Sequence, residues 1–110
     1  MKKIIMLLMG LSMVAFGKEP AKIKVGITQI IEHQALDSAR EGFIKALKDG
    51  GYGDAKIDYQ NAQGDFGTAQ MIANSFVQDK KDIILAISTP SAQAAYNATK
   101  KIPILITAVT

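Results

Sequence analysis

From Lys22 onward the chain alternates short apolar runs with longer segments of helical periodicity, and that alternation leaves very few folds open. Lys22 to Thr28 (KIKVGIT) places Ile23, Val25 and Ile27 at every second position and reads as a strand. Ala35 to Lys48 then carries Leu36, Ala39, Phe43 and Leu47 at helical spacing, and Gly50-Gly51 stops it. Ala55 to Ala62 (AKIDYQNA) alternates Ile57 and Tyr59 with polar neighbours as a second strand. Asp65 stands in the N-cap position of a helix holding Ala69, Ile72, Ala73, Phe76 and Val77. Asp82 to Ser88 is almost continuously apolar, as a central parallel strand covered on both faces must be. A helix from about Pro90 to Lys100 and a fourth strand over Pro103 to Val109 (PILITAV) complete the series. Four strands alternating with three helices predict an α/β fold built on a doubly wound parallel sheet.

Ahead of this pattern lies a segment of a different kind. Lys2 and Lys3 precede a run from Ile4 to Phe16 that is apolar except for Gly10 and Ser12. The run is shorter than the ~20 residues that span a bilayer. Ala15 and Gly17 stand where a signal peptidase requires small residues, so residues 1–17 are expected to be a cleaved signal peptide and Lys18 the first mature residue. The expected location is periplasmic or secreted.

Lys2 and Lys3 carry two of the three net positive charges, and the remaining Lys and Arg are mixed among Asp and Glu. No basic stripe for nucleic acid is present. Cysteine is absent, which removes disulfides, thiolate metal sites, a cysteine nucleophile and lipidation at a mature N-terminal cysteine.

In open α/β sheets ligands bind outside the carboxyl ends of the strands. The residues at those places are Thr28-Gln29, Asn61-Ala62-Gln63, Ser88-Thr89-Pro90-Ser91 and Val109-Thr110, all uncharged. In the third group Thr89 is expected as N-cap and Pro90 as the first helical residue, where a missing N–H costs nothing. The N–H groups of Ser91, Ala92 and Gln93, with the Ser and Thr hydroxyls, would then face a carboxylate or phosphate at the positive end of the helix. A plain cap with no ligand fits the same residues.

Other chemistry finds little support. His33 is the only histidine, so no pair exists to hold a metal; with Glu32 it is placed in the first strand-to-helix loop, either capping the helix or touching a ligand. The glycine-rich GGYGD follows a helix and lacks G-x-G-x-x-G or G-K-[ST], which makes it a turn. No G-x-S-x-G elbow is present, and a hydrolase would have to join Ser91 to His33. Asn97-Ala98-Thr99 matches a glycosylation sequon but falls on an expected helix.

Four stretches, KVGITQIIEHQALDSAREGFIKAL, NAQGDFGTAQMIANSFV, DIILAISTPSAQAA and TKKIPILITAVT, resemble in order and spacing the N-terminal lobe of ABC-importer solute-binding proteins. The resemblance is to the type I periplasmic-binding-protein branch that includes tryptophan- and tyrosine-binding members. It implies a flavodoxin-like lobe over residues 18–110, a small ligand, an amino acid and within the family an aromatic one, closed between two lobes, and a membrane permease as partner. It implies neither catalysis nor a cofactor. Gln29 and His33, Gln63, Thr89, Pro90 and Ser91, and Ala108 to Thr110 would line this lobe's half of the cleft. Members often have Pro after the His, where this chain has Gln34; many are lipoproteins; and members continue into a second lobe. The alternative is a free-standing flavodoxin-like hydrolase using Ser91 and His33. A Mg²⁺-dependent receiver is disfavoured, because its strand ends need carboxylates where Thr28, Gln29, Ser88 and Thr89 stand.

Overall fold

In a computed structural model the described residues are 22–109. The expected signal peptide, residues 1–17, and Thr110 lie outside them. Strand β1 (Lys24–Gln29) is followed by α1 (Gln34–Asp49), β2 (Lys56–Asn61), α2 (Phe66–Gln78), β3 (Ile83–Ile87), α3 (Thr89–Ala98) and β4 (Ile104–Thr107). The four strands form one parallel sheet in the order β2-β1-β3-β4. The chain therefore steps outward from β1 to β2, then crosses back over β1 to β3. Right-handed crossovers in opposite directions put α1 on one face and α2 and α3 on the other, and the two apolar cores divide that way.

Alternation along the central strands decides which core each residue joins. Val25, Ile27, Leu85 and Ile87 face α1, where Leu36, Phe43, Ile44 and Leu47 cover them. Ile84 and Ala86 face the other way, against Ala69, Ala73 and Phe76 of α2 and Ala94 and Ala95 of α3. Alanine on both helices lets them approach closely, and Gln70 donates across to the Ala94 carbonyl at 3.2 Å. Phe76 is fully buried over Gly26 of β1. The α1 face is thinner, since no residue of α1 is fully buried.

Helix ends follow local chemistry. Asp65 caps α2, accepting from the Thr68 N–H at 2.7 Å. At the end of α1, Gly51 takes φ 95°, its N–H reaches Lys48 O and the Tyr52 N–H reaches Leu47 O, the paired return bonds of a Schellman motif. The last helix stops two residues short of the expected Lys100. Thr99 leaves helical geometry, and its Oγ1 accepts from the N–H groups of Lys101 and Ile102. The sequon threonine is thus nearly buried and committed to the helix end. The fourth strand is shorter than Pro103 to Val109, because Ala108 turns to φ 57° and ends it.

Candidate functional site

At the carboxyl end of β1 the chain is tied down by a buried latch. Gln29 is wholly inaccessible. Its Nε2 donates to Ile31 O at 2.9 Å and to Asp37 Oδ1 at 2.7 Å, while its Oε1 accepts from Arg40 Nη1 at 2.8 Å. Arg40 also donates to Asp37 at 3.3 Å and lies over the Tyr59 ring, 4.1 Å from its centre. The Gln29 hydrogen bond, with the Arg40 charge beside it, holds the Asp37 carboxyl below its ordinary value. Gln29 therefore shapes the first loop from beneath instead of facing the space outside the strand end. His33 crowns that loop as the N-cap of α1, its Nδ1 accepting from the Ala35 N–H at 3.1 Å.

The loop after β2 is stitched to the one after β1. Ala62 N–H donates to Gln29 O and Gly64 N–H to Ile30 O, at 2.9 and 2.7 Å. Gln63 and Gly64 both take the left-handed conformation, at φ 55° and 83°, and Asn61 Oδ1 accepts from the Gln63 N–H at 2.7 Å. This double left-handed turn swings the Gln63 side chain outward, where Ile31, Glu32, Asn61 and Gln63 line a groove of about 370 Å³. Asp65 closes the turn, its carboxyl held low by the Thr68 hydroxyl and N–H.

The start of α3 departs from the expectation. Ser88, not Thr89, is the N-cap; Thr89 is the first helical residue and Pro90 the second. Ser88 takes φ 89° and ψ 163°, a region populated almost solely by glycine. Two backbone bonds hold it there: its N–H donates to Thr107 O at 2.9 Å, and its carbonyl accepts from the Ala92 N–H at 3.0 Å. Because the helix begins one residue early, the Ala92 N–H is spent inside it and does not face outward as the sequence suggested. The Ser88 side chain makes no cap bond. The hydroxyls of Thr28, Ser88 and Ser91 are buried without any hydrogen-bond partner. By strand parity Thr28 lies on the face of the sheet that α3 covers. Since Ser88 stores about 1–3 kcal/mol of backbone strain, Ser88→Gly is expected to raise stability by about 1 kcal/mol, and Ser88→Val to lower it by more. Urea midpoints read both; a Gly variant less stable than the parent would show that the turn is unstrained.

Between α3 and β4 opens a larger groove of about 620 Å³, lined by Thr89, Gln93, Tyr96, Ile104, Ile106 and Val109 among others. Ala108 stands at its end on an exposed left-handed turn. Thr89 and Gln63 thus border different grooves, one on each side of β1, and Thr110 lies outside the described residues. Glu32 and Asn61, named in the sequence among the loop and strand-end residues, line the first groove, together with Ile31, which was not named although it stands two residues past the end of β1. The hydrolase pairing is not formed: Ser91 Oγ is buried without a partner, and His33 Nδ1 is engaged by α1. Among the described residues no group of three His, Cys, Asp or Glu gathers to hold a metal, and no helix is long and apolar enough to cross a membrane.

A model of the family described as ABC transporter substrate binding protein matches residues 24–110. A tyrosine-binding protein from Clostridioides difficile is 66% identical over 89 residues, which are 78% of this chain and 26% of that protein. The ligand-free, open structure of a substrate binding protein with adhesive properties from Clostridium difficile is similar at 62% identity and a TM-score of 0.78, over 80% of this chain and 31% of the other. A conserved domain protein from Vibrio cholerae is 45% identical with a TM-score of 0.80, over 82% and 31%. An ABC domain from Streptococcus pneumoniae in complex with L-Trp is 32% identical with a TM-score of 0.78, again over 82% and 31%. The chain thus spans about a quarter to a third of the length of these relatives.

Proposed function

Because this chain belongs to the family of ABC transporter substrate binding proteins, we propose that it is the ligand-binding component of an importer and takes an α-amino acid at the carboxyl ends of its strands. Residues 18–110 supply one lobe's half of the cleft, behind a signal peptide over residues 1–17, and the loaded protein delivers to a membrane permease from the periplasm or cell exterior. The role is binding without catalysis. A tyrosine-binding relative and an L-Trp complex among the similar proteins support an amino acid, and an aromatic one.

The observation that carries this reading is the first turn of α3. A strained N-cap and three buried hydroxyls without acceptors sit at the point where the sheet's connections reverse direction, where ligands bind in such sheets. A ligand carboxylate over Thr89-Pro90-Ser91 would lie at the positive end of the helix. In this reading His33, Gln63, Ala108 and Thr110 would border the closed cleft, with Gln29 supporting it from below.

In the longest in-frame product that carries this chain, replacing Thr89 and Ser91 together with Ala is expected to weaken amino-acid binding by about 1–3 kcal/mol for each charge-assisted bond lost. Stability should change less, by about 1 kcal/mol, the scale of a helix-start contribution. Calorimetry giving an unchanged Kd beside a shifted melting temperature would reduce the motif to a helix start.

A further inference from the structure

The two helices on one face of the sheet carry no charge. Phe66 to Gln78 of α2, and the run from Ile83 through α3 to Thr99, contain no Asp, Glu, Lys or Arg, while α1 on the opposite face carries Asp37, Arg40, Glu41, Lys45, Lys48 and Asp49. The inner sides of α2 and α3 build the core with Ala69, Ala73, Phe76, Ala94 and Ala95. Their outer sides leave Phe66, Met71 and Tyr96 exposed at 69%, 70% and 66%. Between these lie the exposed amides of Gln93 and Asn97, which make no hydrogen bond among the described residues. Gln70 ties the two helices into one preformed layer, its Nε2 donating to Ala94 O and to Asn74 Oδ1, both at 3.2 Å. Charge begins only at the rim, with Asp65 and Asp79 capping the ends of α2 and Lys100 beyond α3.

An exposed helix ordinarily carries charge on its outer side. A charge-free centre holding Phe, Met and Tyr inside a charged rim has instead the composition of a protein interface. Nucleic acid or an anionic membrane would need Lys or Arg on this face, and a charged protein surface would lose its water there without gaining a counter-charge. We infer that the α2–α3 layer is a self-association face whose partner is a second copy of this chain. Two-fold pairing sets the same patch against itself, which here brings no like charges together at the centre. Amides are both donors and acceptors, so Gln93 and Asn97 can bond across the axis to the same residues of the second copy. Two helices of about 20 and about 15 Å lying side by side give a footprint of roughly 400 Å². That is about half of the roughly 800 Å² per partner in a standard interface, so the dimer is a reversible one that fills with rising concentration.

The test is sedimentation of the longest in-frame product carrying this chain, from about 1 μM to about 1 mM. The weight-average mass is expected to rise from monomer toward dimer, and to do so equally at about 0.05 and about 0.5 M salt, because no ion pair crosses the centre of the face. Met71→Lys and Tyr96→Glu are each expected to weaken association by about tenfold or more, since each sets an unpaired charge in the buried centre. Both positions are exposed, so the melting temperature should stay where it is. Lys45→Gln on α1, which removes only an exposed pair with Asp49, should leave association unchanged. A monomer over the whole range, an association that salt abolishes, one that survives both α2–α3 variants, or one that Lys45→Gln weakens as much overturns the assignment.

Discussion

Phe76→Ala is expected to cost about 3–5 kcal/mol, toward the upper end of that range. The ring is fully buried and rests on Gly26 of a central strand, so truncation opens a cavity opposite a residue with no side chain to move into it. The same contact forbids growth from the other side. A Cβ on Gly26 would stand 2.6–2.8 Å from three atoms of the Phe76 ring, and Gly26→Ala is expected to destabilise by about 1–3 kcal/mol through overpacking. The two positions share one volume, so Gly26→Ala combined with Phe76→Leu should cost clearly less than the sum of the single changes. Urea unfolding of the four proteins gives the coupling. Additive losses would mean that the ring and the strand do not contact each other. Since small domains have only about 5–15 kcal/mol in hand, Phe76→Ala alone is expected to remove a large fraction of the stability.

Arg40→Ala is the second large effect, expected at about 2–4 kcal/mol. Its guanidinium satisfies the carbonyl oxygen of a wholly buried glutamine, pairs with Asp37 and covers the Tyr59 ring. Removing it leaves Gln29 Oε1 buried without a donor. Arg40→Lys should recover only part of the loss, because one ammonium cannot serve the amide, the carboxylate and the ring together. The latch also predicts a pH signature. The Gln29 hydrogen bond foremost, and then the Arg40 charge, place the Asp37 carboxyl below its ordinary value of 3.8 in the folded state. Its contribution to stability is therefore fully present above about pH 4 and is lost as pH falls from there through the lower folded value. Melting temperatures between pH 2 and 6 should fall less steeply for Asp37→Asn than for the parent. A loss below about 0.5 kcal/mol for Arg40→Ala, typical of an exposed ion pair, would show that the latch does not hold the loop.

Most of the architecture is legible in the sequence, because each element carries its own period. Val25 and Ile27 alternate, Leu36 to Leu47 repeat at helical spacing, and the unbroken apolar run of Ile83 to Ile87 requires cover on both faces, which α1 gives β3 on one side and α2 and α3 on the other. Asp65 was readable as a cap because capping is local: the accepting carboxylate and the donating N–H are three residues apart. The end of α3 was overestimated because Lys100 and Lys101 are good helix formers, while what stops the helix is a side-chain bond from Thr99 that propensity does not express.

Sequence alone determined the elements, their order and the strand ends around which a ligand site could form, since these depend on residues within one turn or one strand of each other. Tertiary structure decided what those ends present. Gln29 reads as a polar residue leaving a strand, and only the arrival of Asp37 and Arg40 from α1 turns it inward and consumes its amide. Thr89 reads as the cap because Pro90 follows it as a first helical residue, and only the bond from the Ser88 N–H to Thr107 on the neighbouring strand β4 holds the cap one residue earlier, in a conformation that serine does not choose for itself. Glu32 and Gln63 are 31 positions apart in the chain, and parallel pairing of β1 with β2 is what sets them on the same groove. Contacts of this kind depend on strand order and register, which no local pattern encodes.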